Sequence, residues 1–251
     1  NHPEMWEEIE DVLDNIEEVY FTGGESLFMP QHYRLLDMLI ERGLSPRLTY
    51  NSNATRLSLK GKHIENYWKH FKNIFFCVSC DQIGSKAEYT RAGQKWNTVF
   101  DNLCWIRDNF EHGYDKGVVI QPNPTISVLN IIDLRKIINF LFEHNIPTDY
   151  DINLSNLLVG PDWLSCTILP EHLKDKAKEN ILLLKDDIAK LKMYPQRKDF
   201  LDSGLDNIIN FMNSSDDTHL IEAFRKEMQK IDLIRGENFL NVFPELKDLY
   251  V

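Results

Sequence analysis

Cysteine is scarce. Four in 251 residues are too few for a disulfide framework in so long a chain, which points to a reducing cytoplasm. Basic charge is also short: 28 Lys and Arg against 39 Asp and Glu give a formal charge of −11. No basic stripe offers the phosphate contacts that broad nucleic-acid binding requires, while an acid excess suits a neutral or basic partner as well as plain solubility. No apolar run approaches the roughly 18–20 residues of a membrane span. Pro3, Glu4, Glu7, Glu8 and Glu10 reverse the basic-then-apolar order of a signal peptide. Internal repeats, low-complexity tracts and Gly/Ser linkers are missing, as are a Ser-His-Asp elbow, a P-loop and a metalloprotease motif. What remains is a 29.5 kDa chain with 43% hydrophobic residues. That is enough for a sizeable core and too much for a disordered chain.

The first 155 residues alternate helix-like and strand-like patterns. Met5, Trp6, Ile9, Val12, Leu13 and Ile16 recur at helical spacing from Pro3 to Asn15. A short apolar run, Val19-Tyr20-Phe21, stops at Gly23-Gly24. Further helices are expected over 30–42, 64–71, 96–110 and 131–143, with Pro30 in a first turn and Gly43 after a last one. Strands are expected over 47–50, 73–79, 117–121 and 149–154. Strand followed by crossover helix, five times, predicts an α/β fold with a parallel sheet, open or closed into a partial barrel. Its functional loops lie beyond the strands' C-terminal ends: after Thr22, Tyr50, Ser79, Gln121 and Leu154. From about Pro170 the composition turns to Lys-, Asp- and Leu-rich helices over 171–193, 200–212 and 217–234. This predicts a helical C-terminal segment, with a boundary near Gly160-Pro161 separating residues 1–160 from 161–251.

Residues in those loops admit two readings each. Gly23 and Gly24 let a ligand approach the backbone, and Glu25 adds negative charge for a cation. The same three residues also make a turn whose Glu caps a helix. Arg91 is either a bidentate partner for a carboxylate or one half of a surface ion pair. Ser127 and Asn130 either contact a ligand or cap the next helix. Leu154, Asn156 and Leu157 suit an apolar slot or an ordinary core. Cys77 and Cys80 form a C-x-x-C whose odd spacing points them to opposite faces of a strand. Cys104 and Cys166, like them, read as small buried hydrophobes.

One resemblance orders these features. VYFTGGESLFMPQHYRLLDMLIERG, LTYNSNATRL, FFCVSCDQIGSKAEYTRAGQKWNTVFDNL and PTISVLNIIDL resemble, in sequence order, the second to fifth strands and following loops of radical S-adenosylmethionine (radical SAM) enzymes. LVGPDWLSCTILPEHLK and IDLIRGENFLNVFPEL resemble late segments of the twitch-domain subgroup. The resemblance implies a partial TIM-like (β/α) barrel core over 1–160 and a helical segment over 161–251. It assigns Gly23, Gly24 and Glu25 to the amino group of SAM and Arg91 to its carboxylate. Asn51, Ser79 and Asp81 fall on the strand-end loops, Ser127 and Asn130 on the ribose, and Leu154 on the adenine slot. It further implies an electron donor and a small-molecule or peptide substrate attacked by a 5′-deoxyadenosyl radical, with no nucleic acid or membrane as partner.

The family also carries a [4Fe–4S] cluster on C-x-x-x-C-x-x-C, upstream of Gly-Gly-Glu. That motif is absent from these 251 residues, so no metal ligand is assigned here. The chain opens on Asn1 rather than Met, within a helix-like stretch. The expectation is therefore that the cluster portion lies upstream in the intact protein. The alternative is a catalytically silent SAM- or nucleotide-binding module acting through a partner.

Overall fold

A computed structural model describes residues 3–114 and 116–251. In chain order the elements are α1 (Pro3–Val12), β1 (Glu18–Phe21), α2 (Pro30–Glu41), β2 (Arg47–Ser52), β3 (Ser58–Leu59), β4 (Lys62–His63), α3 (Glu65–Trp68) and β5 (Asn73–Val78). There follow α4 (Gly84–Thr90), α5 (Trp96–Asn109), β6 (Gly117–Pro122), α6 (Leu134–Glu143), α7 (Glu171–Lys190), α8 (Pro195–Met212), α9 (Ile221–Arg235), α10 (Phe239–Val242) and α11 (Lys247–Tyr250). The chain is α/β, with a four-stranded parallel sheet in the order β1-β2-β5-β6. No helix among the described residues is long and apolar enough to cross a membrane. The chain divides into two compact units, 1–79 with 98–121 and 80–97 with 122–251.

The first unit holds the sheet. Phe21 of β1 lies opposite Tyr50 of β2, and Ser52 opposite Val78 of β5. Period-2 alternation sends Leu48, Tyr50, Ser52, Ile74, Phe76 and Val78 to the buried side. There Tyr50 meets α2 through His32 and α3 through Trp68. Pro30 opens α2, and Gly43, at φ +67, follows its end, as the sequence predicts. A β3–β4 hairpin that the sequence reading does not contain turns on Lys60 and Gly61, both left-handed.

His32 sits at the centre of this aromatic core. Its Nε2 lies 3.0 Å from the Tyr50 hydroxyl, which also accepts a bond from Trp68 Nε1 at 3.1 Å. Its Nδ1 is buried with no hydrogen-bond partner. Burial lowers its pKa from 6.5 to about 4, so the unfolded chain binds the extra proton across that window. The stability His32 contributes is complete above pH 6.5 and is lost as pH falls toward 4, by about 3 kcal/mol. Urea unfolding at pH 7, 6 and 5 is expected to show one proton's worth of slope in the wild type that His32→Gln removes. Parallel curves for the two proteins would contradict this.

The second unit is helical. Ile137, Ile138 and Leu141 of α6, Ala177, Ile181, Leu184 and Ile188 of α7, and Leu201, Leu205 and Ile208 of α8 are buried. Each set recurs at helical spacing. Phe239 stacks on Phe243 and Tyr250 at 5.1 Å each. The hydroxyls of Tyr89 and Tyr250 both donate to Asp232 of α9. The strand expected over 149–154 does not form. Asp149 and Tyr150 adopt left-handed conformations, φ 54 and 57, which end any extended run before it begins. The following residues instead dock on α8. Asp151 pairs with Arg197 at 2.8 Å, and Leu154 lies where a Cβ on Gly204 would come within 3.1 Å. A parallel bridge between Ile126 and Leu157 is the pairing that does form there.

Candidate functional site

The first unit carries Gly23, Gly24, Glu25, Asn51 and Ser79. The chain leaves β1 through an exposed turn in which Gly23 has φ +96, a conformation L side chains rarely adopt. Gly24 lies outside that region, and a Cβ there would meet no atom within 4 Å. Among the described residues, neither glycine's carbonyl accepts a backbone hydrogen bond. Glu25 is half-buried. Its Oε1 accepts a bond from Ser52 Oγ and its Oε2 one from the Asn53 N–H, each 2.8 Å. The Asn51 amide donates to the Tyr20 hydroxyl on the adjacent strand. The Ser79 N–H, just past β5, donates to the Ser52 carbonyl at 2.9 Å.

The second unit carries Asp81, Arg91, Ser127, Asn130 and Leu154. Arg91 Nε and Nη2 both donate to Asp81 Oδ2, at 2.9 and 2.6 Å, and Asp81 Oδ1 accepts from the Thr125 N–H at 2.8 Å. The ion pair weighed for Arg91 thus exists, with Asp81 mostly buried. Asn130 is fully engaged: its Oδ1 accepts from the Ser127 N–H, and its two amide protons go to the carbonyls of Asp81 and Thr125. Ser127 Oγ accepts from the Leu129 N–H at 3.2 Å. These bonds fold the loop into turns, and α6 begins at Leu134 rather than at the Ile131 expected from the sequence. The buried Gln82, next to Asp81, donates to the Leu129 carbonyl while its Oε1 has no partner. Leu154 is fully buried. Asn156 donates to Asn123 Oδ1.

The described thiols are not gathered as an iron–sulfur cluster requires, with several on one centre. Burial pushes the Cys80 thiol up to about 12, with Asp81 adding to it, and burial pushes Cys166 up to about 12. Burial also raises Cys104. Cys77 donates to Gln121 Oε1 at 3.7 Å. No group of three or more His, Cys, Asp or Glu among the described residues can hold a metal ion.

Ser52, Asn53 and Asn102 were not singled out by sequence, yet they build the support of Glu25. Ser52 and Asn53 bind the carboxylate, and Asn102 of α5 donates to the Ala54 carbonyl at 2.7 Å. The available signal was a Ser-Asn pair directly after a strand, where short polar side chains bind nearby backbone. No protein-family model matches the sequence, and neither does any curated protein.

Proposed function

We propose that the chain is the core of a radical SAM enzyme. In this reading it is a partial (β/α) barrel with a helical C-terminal segment, and it binds S-adenosylmethionine at the strands' C-terminal ends. The exposed turn after β1, with Glu25 held behind it, carries the reading. No protein atom lies within 4 Å of where a Cβ on Gly24 would stand, so its backbone is open to a ligand's approach. The Gly23 and Gly24 carbonyls suit the amino group of SAM. Each Glu25 oxygen accepts one protein bond and keeps capacity for another.

In the second unit, Arg91 is held by Asp81 through two of its five donors. The rest suit a carboxylate. Gln82 Oε1 remains an acceptor without a partner, and Ser127 keeps its hydroxyl proton for a ribose. Asn130 holds the loop and has no amide proton left for ligand. Leu154 would serve the adenine slot from the core side. When bound, SAM supplies a sulfonium open to one-electron cleavage. This chain's residues bind and orient its amino-acid end and exclude water. Radical chemistry on a small-molecule or peptide substrate belongs to the proposal only where cluster ligands and an electron donor come from outside these residues.

The alternative is a catalytically silent SAM- or nucleotide-binding module acting through a partner, which would use the same Glu25 carboxylate held by Ser52 and Asn53. A native reading frame that reaches C-x-x-x-C-x-x-C upstream of Asn1 selects the enzyme; one without it selects the module.

Titration calorimetry with SAM tests both readings at once. The wild type is expected to bind saturably, and Gly24→Ala and Glu25→Gln to bind about tenfold more weakly. Gly24→Ala should keep or slightly raise thermal stability, because it only restricts the unfolded chain. A wild type that gives no binding heat, or variants that bind as it does, would overturn the proposal.

A further inference from the structure

We infer that Ser52 is a positioning residue for Glu25, presenting its carboxylate to the ammonium group of SAM; the inference rests on the SAM reading. Ser52 is 4% exposed, and its hydroxyl is committed in both directions. It accepts from the Ala54 N–H at 3.0 Å and donates to Glu25 Oε1 at 2.8 Å. The next residue's N–H takes Oε2 at the same distance. Two consecutive residues therefore fix both oxygens of one carboxylate, which sets the rotation of its plane and leaves the outward lone pairs for a ligand.

The loop that does this is held in an unfavourable backbone shape. Ala54 is fully buried and left-handed, φ 54, a region that crowds a Cβ. Four bonds keep it there: Ser52 Oγ accepts from its N–H, Asn102 Nδ2 donates to its carbonyl, and Asn53 Oδ1 accepts from the Thr55 N–H and hydroxyl at 2.9 and 2.7 Å. Left-handed residues also occur in plain connections of this chain, such as Lys60; what sets Ala54 apart is that bonds holding it come from the residues that grip Glu25. The loop so fixed aims one hydroxyl and one N–H at Glu25.

The test compares two ligands that differ in the group Glu25 is to bind. SAM carries the ammonium; 5′-methylthioadenosine keeps the adenosine and lacks the amino acid. Ser52→Ala is expected to weaken SAM about five- to tenfold and to leave methylthioadenosine unchanged. Ser52→Thr should restore SAM binding, and Ser52→Ala should add nothing on a Glu25→Gln background. Ser52→Cys, similar in size with a weak donor, carries the same comparison if Ser52→Ala does not fold. Equal loss for both ligands means that the pair is only a structural tie and overturns the inference. So does Ser52→Ala binding SAM as the wild type does. A wild type that binds no SAM overturns the functional reading, and this inference with it.

Discussion

Gly117→Ala is expected to destabilise the protein by about 3 kcal/mol or more, from two costs that coincide at one residue. Gly117 opens β6 at φ +139, and a Cβ there would lie 2.1 Å from the Glu111 carbonyl oxygen and 2.6 Å from its carbon. Those are backbone atoms and cannot swing aside. They are further held in place, because Glu111 O accepts from the Val118 N–H at 2.8 Å while the Gly117 N–H donates to the Lys72 carbonyl at 2.6 Å. For a chain of this size the loss corresponds to a melting temperature lower by roughly 6–12 °C. Gly113 is the control. It has a similar φ, +137, but open space where its Cβ would stand, so Gly113→Ala meets strain without the clash. Calorimetric melting of both variants separates the two costs. Equal losses would mean that the approach to Glu111 does not limit position 117.

Arg197→Met is expected to cost about 3–5 kcal/mol at neutral pH. Asp151 is 1% exposed and pairs with Arg197 Nη1 at 2.8 Å. Burial already raises the Asp151 carboxyl above its usual range, and Arg197 is what opposes that rise. Without the guanidinium the buried carboxylate loses its charge partner and is pushed further toward its protonated form. The folded-state pKa then stands further above the unfolded one. The variant is therefore relatively most stable at low pH, and it loses stability as pH rises through the folded value. Asp151→Asn in the same background removes the buried charge and should recover most of the loss. Denaturant unfolding from pH 4 to 8 on the wild type, single and double variants reads all three effects. A pH-independent loss, or a double variant as weak as the single, would show that packing by the Arg197 stem decides, not the ion pair.

These two positions also show what sequence does and does not disclose. The parallel sheet is legible because its strands carry the alternation of Leu48-Tyr50-Ser52 and the near-continuous apolar run from Ile74 to Val78, each followed by a helix at crossover distance. Helix α4 is less visible because only Ala87 and Tyr89 are buried along it. The segment over 149–154 misleads because its alternating Ile and Leu imitate a strand. What decides its fate is a partner 46 residues away, Arg197, and a glycine on α8 that leaves room for Leu154. At the site, Gly-Gly-Glu after a strand is readable as a candidate cradle. The grip of Ser52 and Asn53 on Glu25 is not, since it follows from the register that sets Phe21 opposite Tyr50. Likewise nothing in the string tells that every polar atom of the Asn130 side chain is already spoken for.

The sheet order begins with β1, and among the described residues this strand pairs on one side only. That one side is closely specified. β1 is four residues long and led by Glu18, whose carboxylate accepts from Thr49 Oγ1 and lies 3.7 Å from Arg47 Nε, both on β2. Cross-strand pairs of this kind favour one alignment over its neighbours, and a slip by one residue would also turn Phe21 away from Tyr50. So short a strand therefore keeps its place by the identity of its side chains rather than by its length.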